Sequence, residues 1–347
     1  MTKIYILNGL YTYRIEWVDY MKAFSIIAMV LHHTPITPEV NAFVYLICLP
    51  AFFFIAGLFA CPQLSLKIFF SHKTKRLILP YFLLGCFSWL LWLLILRNYG
   101  NDTYASVSWW FPLMGLILGK SDMQVYCPLW FLCCLTSVEW IYYVIYRISK
   151  QWQRWLIILL IGIIGCTLSY WRQNWIWEIS AAFIILPLYA LGAEFSKQIQ
   201  EKTHSCSTTL LILILLISAI GVWMGAKYNA NIGLHESYIG NPLIYYPSIL
   251  SVVGMWGAIS LLLVRYCGSL RGLSYIGQNT LLILCAHIPV FGMIKGIAML
   301  CHIPLDFFET SLGCLCLWAG TFIILLPTAY FINKYCPWMV GKKNPTP

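Results

Sequence analysis

The stretch Met21-Lys22-Ala-Phe-Ser-Ile-Ile-Ala-Met-Val-Leu31-His32-His33 is apolar enough to cross a membrane, yet a basic residue stands near its start and two histidines close it. At about 100° per residue, the eleven steps from Lys22 to His33 return to within roughly 20° of the same direction. At about 1.5 Å rise the two lie roughly 16 Å apart along a helix, one near the inner end of a span and one well across the bilayer. An ionisable group inside a span costs about 2.5–3.5 kcal/mol even on lenient insertion scales. Two on one face are therefore expected to look into a protein-lined cavity; the plainer alternative is a snorkelling Lys22 and an interfacial His33. His32 is turned by about 100°, so His33 is the better partner for Lys22.

The rest of the chain has the same character. Of its residues 61% are hydrophobic and 10% charged, against about 25% charged in a soluble domain. Ten apolar stretches are long enough to span: 17–36, 41–61, 77–97, 126–146, 155–171, 178–196, 208–226, 243–264, 275–298 and 311–333. The stretch Trp109–Gly119 is too short and reads as re-entrant or interfacial. With the N-terminus inside, sixteen of the 22 basic residues fall on inner segments and five on outer ones, Lys22 lying within a span. That bias obeys the positive-inside rule. The expected fold is an all-α integral membrane protein, one domain over residues 1–347, with about ten transmembrane helices and both ends cytoplasmic. The net charge of +10 follows from orientation and anionic lipid, so nucleic acid is not an expected partner. The fourteen cysteines show no metal-ligand spacing, and no metal is expected. No internal repeat or pair of broken helices stands out, which argues against a transporter.

Several constellations carry chemistry-bearing groups. In the first, Arg14-Ile-Glu-Trp17-Val-Asp19-Tyr-Met-Lys22 leads into the span ending at His33. A neutral imidazole in a partly dry cavity is a competent general base for a hydroxyl. Lys22 or Arg14 would hold an anionic group at the inner mouth, with Asp19 pairing or orienting a neighbour. The second is Lys67-Ile-Phe-Phe-Ser-His72-Lys73-Thr-Lys75-Arg76 before Pro80, either a generic inner loop or a phosphate clamp. A third, Pro50-Ala-Phe-Phe-Phe-Ile-Ala56-Gly57, invites close helix packing. Trp130 followed by the intramembrane carboxylate Glu139, and Asn279 followed by mid-span His287, complete the candidates for substrate contact.

In this order the segments resemble the membrane-bound acyltransferase-3 family, the O-acyltransferases that modify bacterial glycans. The carriers are Arg14…Trp17-Val-Asp19…Lys22, the basic residue followed after ten residues by His33, and Leu49-Pro50-Ala-Phe-Phe-Phe-Ile-Ala-Gly57. They continue through the basic loop into Arg76-Leu-Ile-Leu-Pro80-Tyr81, Leu129-Trp130-Phe131-Leu132, Leu186-Pro-Leu-Tyr-Ala-Leu-Gly192 and Ile276-Gly277-Gln-Asn279-Thr280…His287. The opening and second-span wording resembles the fucose 4-O-acetylase-like branch. The resemblance implies transfer of an acyl group, usually acetyl, from cytoplasmic acetyl-CoA to a hydroxyl of a glycan or lipid-linked sugar, at the bacterial inner membrane. It places the family's essential histidine on His33, its Arg/Lys on Lys22, and its Arg-x-x-Arg clamp on Lys73-Thr-Lys75-Arg76, where a point charge replaces a forked donor. Acyl-CoA is polyanionic at one end and reactive about 15–20 Å away, a shape that a basic inner mouth and a deeper histidine would match. A lipid-linked glycan flippase using the same cavity without catalysis is the alternative, and a structural subunit of an envelope complex a third reading.

Overall fold

The computed structural model describes residues 4–7, 10–13, 15–97, 107–120, 128–148, 150–203, 205–229 and 232–342. A short antiparallel hairpin, β1 (Ile4–Leu7) and β2 (Leu10–Tyr13), opens the chain with Ile4 opposite Tyr13. Helices and turns make up the rest of the described residues. In order they are α1 (Glu16–His32), α2 (Pro38–Cys48), α3 (Pro50–Leu58), α4 (Leu66–Lys73), α5 (Leu79–Leu91), α6 (Trp110–Leu118), α7 (Trp130–Ile145) and α8 (Gln151–Tyr170). They continue as α9 (Ile179–Glu194), α10 (Ser196–Lys202), α11 (Thr208–Tyr228), α12 (Pro242–Cys267), α13 (Arg271–Gln278), α14 (Thr280–Leu300) and α15 (Ser311–Tyr335).

The protein is an all-α integral membrane protein, with the hairpin an addition that the apolar pattern did not announce. Among the described residues eight helical stretches are long and apolar enough to cross a membrane, where ten were expected. The other two expected spans are α1, with 17 residues, and α7, with 16. At about 1.5 Å per residue these reach roughly 24–26 Å, short of the roughly 30 Å hydrocarbon core. Both are interior helices, buried along most of their length, and a helix wrapped by protein need not match the lipid thickness. Peripheral spans differ: 22% of the apolar window of Thr208–Tyr228 is buried, against 61% of Ile176–Glu194. The stretch expected to be re-entrant is the nine-residue α6, which stops at Gly119.

The second expected span, 41–61, is interrupted. It splits at Leu49 into α2 and α3, because Pro50 has no N–H and its ring crowds the carbonyl four residues back. Carbonyls near the break find partners elsewhere: Trp256 Nε1 donates to Ile47 O at 2.9 Å, and the Cys48 thiol donates to Tyr45 O at 3.2 Å. Below the break, α3 crosses α9 at backbone contact. A Cβ on Gly57 would stand 2.0 Å from Tyr189 O, so the close approach expected there is present and admits only glycine.

Helix α1 is the centre of the bundle. It packs against α2, α3, α12, α13 and α14. Phe24 stacks on Trp256 with ring centroids 5.0 Å apart, and Trp318 Nε1 reaches Ile27 O at 3.2 Å. Two polar ends of α1 thus emerge at opposite ends of one packed stem.

Candidate active site: the two ends of the first helix

At its far end α1 stops at His32, with His33 as the capping residue, φ −85° and ψ 2°. The two rings then part company. His32 Nδ1 hydrogen-bonds Asn41 Oδ1, and its ring lies edge-on to Tyr45 at 4.8 Å between centroids. His33 turns to α14, where its ring centroid is 5.0 Å from that of His287. His287 is fully buried. Its Nδ1 is 3.0 Å from Ile283 O, so the neutral ring carries its proton on Nδ1 and leaves Nε2 as the lone-pair nitrogen. No hydrogen-bond partner reaches that Nε2 among the described residues. The nitrogens of His33 likewise make no hydrogen bond there; its neighbours are the rings of His32 and His287.

Trp130 joins this end through a residue the sequence did not single out. Its ring is 5.9 Å from that of His235, in the turn Leu234–Glu236 of the loop after α11. The loop is pinned to the bundle: Leu234 N donates to Tyr45 Oη at 2.6 Å, Asn174 Nδ2 to His235 O at 3.0 Å, and Ile239 N to Ser169 Oγ at 3.0 Å. It forms a fixed roof beside the histidines, in a stretch whose sequence shows only polarity.

At the near end of α1, Asp19 and Lys22 line a cavity of about 260 Å³ with Gln278, Asn279, Asn333 and Lys342. The crossing of α1 with α13 makes it possible. A Cβ on Gly277 would stand 1.9 Å from Asp19 O, so only glycine lets the two backbones meet there. Lys22 also lies over the Phe59 ring, 5.9 Å from its centroid. Arg14, expected at this mouth, falls outside the described residues.

The basic loop divides in two. Lys73 is buried and paired with Glu139 of α7, Nζ to Oε1 2.6 Å. Glu139, expected as a candidate for substrate contact alongside Trp130, is thus placed with the clamp. Lys75 and Arg76 are exposed, in the wide turn Thr74–Ile78. There Leu79 N–H bonds Thr74 O, five residues back, and Pro80 follows without a donor of its own. The widened turn relieves the clash that Pro80 would otherwise make with the carbonyl of Arg76. Among the described residues no group of three or more His, Cys, Asp or Glu is arranged to hold a metal ion.

The arrangement therefore couples a polar, lysine-bearing cavity to a histidine pair through one helix. A family model described as an acyltransferase domain matches residues 15–338, nearly the whole chain. The chain belongs to the acyltransferase-3 family and is a multi-pass membrane acyltransferase. Comparison with curated proteins and with solved structures finds no match.

Proposed function

We propose that this acyltransferase moves an acyl group, in the first instance acetyl, from cytoplasmic acyl-CoA to a sugar hydroxyl of a cell-envelope or exported glycan. Its place would be the bacterial inner membrane, with the lysine end of α1 facing the cytoplasm. One observation carries the reading: the His33–His287 pair stands at the opposite end of α1 from the lysine-lined cavity, roughly 16 Å away by helical rise. Donor phosphates held at Lys22, Arg76 and Lys75 would leave the thioester to reach the histidines along the pantetheine arm.

His33 acts as general base. It takes the proton of the acceptor hydroxyl while that oxygen attacks the thioester carbonyl. The tetrahedral adduct collapses, the carbon–sulfur bond breaks, and the CoA sulfur leaves, taking up a proton from the site. His287 is the positioning residue: with Nδ1–H fixed on Ile283 O, its Nε2 is an acceptor for the imidazolium that His33 becomes. Trp130 and His235 offer flat faces for the acceptor sugar.

The test is a mass spectrum of the envelope glycan from cells carrying the wild type, His33→Ala or no protein. Loss of an acetyl increment in the last two supports the reading. An unchanged glycan, with acetyl-CoA left unconsumed by wild-type membranes, would sink it. Oriented vesicles given acetyl-CoA on one side then decide the topology, and transfer only with donor on the lysine-end side is expected.

A further inference from the structure

One wall of the cavity at the lysine end is built by the segment that follows α15. Residues Pro337–Val340 make a single tight turn, closed by Gly341 N–H to Trp338 O at 3.1 Å and Lys342 N–H to Pro337 O at 2.9 Å. Pro337 and Val340 are buried. The turn sits directly on the basic loop, since a Cβ on Gly341 would lie 2.9 Å from Arg76 Cα and 3.1 Å from Lys75 O. From that seat Lys342, its stem exposed, turns its ammonium inward. Nζ donates to Asn333 Oδ1 at 2.7 Å and to Asn279 Oδ1 at 2.9 Å. Asn333 Nδ2 donates to the same Asn279 oxygen at 2.7 Å, and Asn279 Nδ2 to Tyr275 O at 2.8 Å.

This network holds Lys342 without neutralising it. An ammonium has three donors, and two are spent here on carboxamide oxygens, which carry no charge. Among the described residues the charged groups facing the cavity are Lys342, Lys22 and Asp19, with Lys75 and Arg76 behind the turn. Lys22 and Lys342 thus line, with Asp19, a cavity large enough for a phosphate.

We propose that Lys342, aimed by Asn279 and Asn333, is a binding residue for a phosphate group of the acyl donor, and that the Pro337–Lys342 segment is the strap joining the Arg76 clamp and the Lys22 cavity into one anion site. The proposal rests on the acyl-CoA reading above. Burial pushes the Lys342 ammonium down to about 8, opposed by Asp19, which marks a cation short of negative charge. Below that pH the site keeps the positive charge of Lys342; above it the charge is lost and donor affinity falls.

The probe is desulfo-CoA, which carries the phosphates but no thiol, bound to the full chain in nanodiscs of zwitterionic lipid so that no anionic headgroup competes. Lys342→Met should weaken binding about ten- to thirtyfold, as expected for one hydrogen bond between charged groups. Its Michaelis constant for the acceptor should stay as in the wild type. Wild-type affinity should decline between pH 7 and 9, and Lys342→Arg, charged throughout, should remove the decline. If Lys342→Met fails to fold, the pH profile of Lys342→Arg against wild type still decides. Unchanged affinity in Lys342→Met, or the same pH profile in Lys342→Arg as in wild type, overturns the proposal. Inorganic pyrophosphate is the second probe. Pyrophosphate bound in a Lys342-dependent way with no affinity for desulfo-CoA would keep the anion site and remove the acyl-CoA reading; binding of neither would overturn the site.

Discussion

At the lysine end of α1, Lys342, Asn333 and Asn279 close a ring of hydrogen bonds around a polar cavity. At the histidine end, rings touch rings, and His33 and the Nε2 of His287 bond to nothing described. The first pattern suits a permanent charge, which must be held still to receive an anion. The second carries a cost of about 1–3 kcal/mol for the buried, unsatisfied Nε2 of His287. Such a cost persists where a proton must arrive and leave, because a nitrogen already committed to a strong partner is a poor base. Saturation marks capture, and unsaturation marks chemistry.

The contrast is open to attack. Its largest expected effect is at the histidine end, where His33→Ala should lower acyl transfer by about 10²–10⁴-fold at normal membrane levels, the usual worth of a general base. His32→Ala, which loses the anchor to Asn41 and ring contacts with Tyr45 and His33 but no proposed base, should cost roughly tenfold or less. Equal losses in radiolabelled acetyl transfer would erase the distinction between the two rings. Next comes the buried pair behind the clamp. Glu139→Gln leaves Lys73 buried without its carboxylate and should destabilise the protein by about 3–5 kcal/mol, read as a fall in thermal midpoint in detergent. The double change Lys73→Met with Glu139→Leu should recover most of that, and failure to recover would give the pair a role beyond packing. The smallest effect is at the exposed rim: Arg76→Ala should raise the Michaelis constant for acyl-CoA about two- to fivefold, the range for an exposed charge contact. An equal rise for the acceptor would return Arg76 to a purely topological role.

Much of this was legible before any coordinates. Apolar runs named eight spans because lipid-facing helices must be long and continuous, and Gly57 announced a close crossing because nothing larger fits. Two spans came out shorter than expected, since α1 and α7 are wrapped by protein and escape the thickness rule. The break at Leu49 follows from Pro50, but the apolar run continues through it and hides it. Spacing along α1 put Lys22 and His33 at two ends of one stem, but spacing within a helix cannot name a neighbour. The pairing of Lys73 with Glu139, 66 residues on, and the seating of Lys342 on Asn279 therefore had no local signature. His235 had none either, being one polar residue in a polar loop.

The place of α1 at the centre has a consequence for how the protein is made. Glu16, Asp19 and Lys22 make α1 a poor span by itself. Some of its partners are late: Tyr20 Oη donates to Gly268 O and accepts from Leu270 N, some 250 residues further along. At about 5–20 residues per second the nascent chain waits roughly 10–50 s between emergence of α1 and arrival of α13. During that interval the stem lacks its α13 contacts, so incomplete chains are expected to be inert and open to proteolysis. Chains arrested at residue 260 should be cut within α1 by added protease while the full chain resists; equal resistance would show that α1 is seated by its earlier neighbours alone. A helix translated first and housed last makes synthesis of the whole chain a condition for any reactivity.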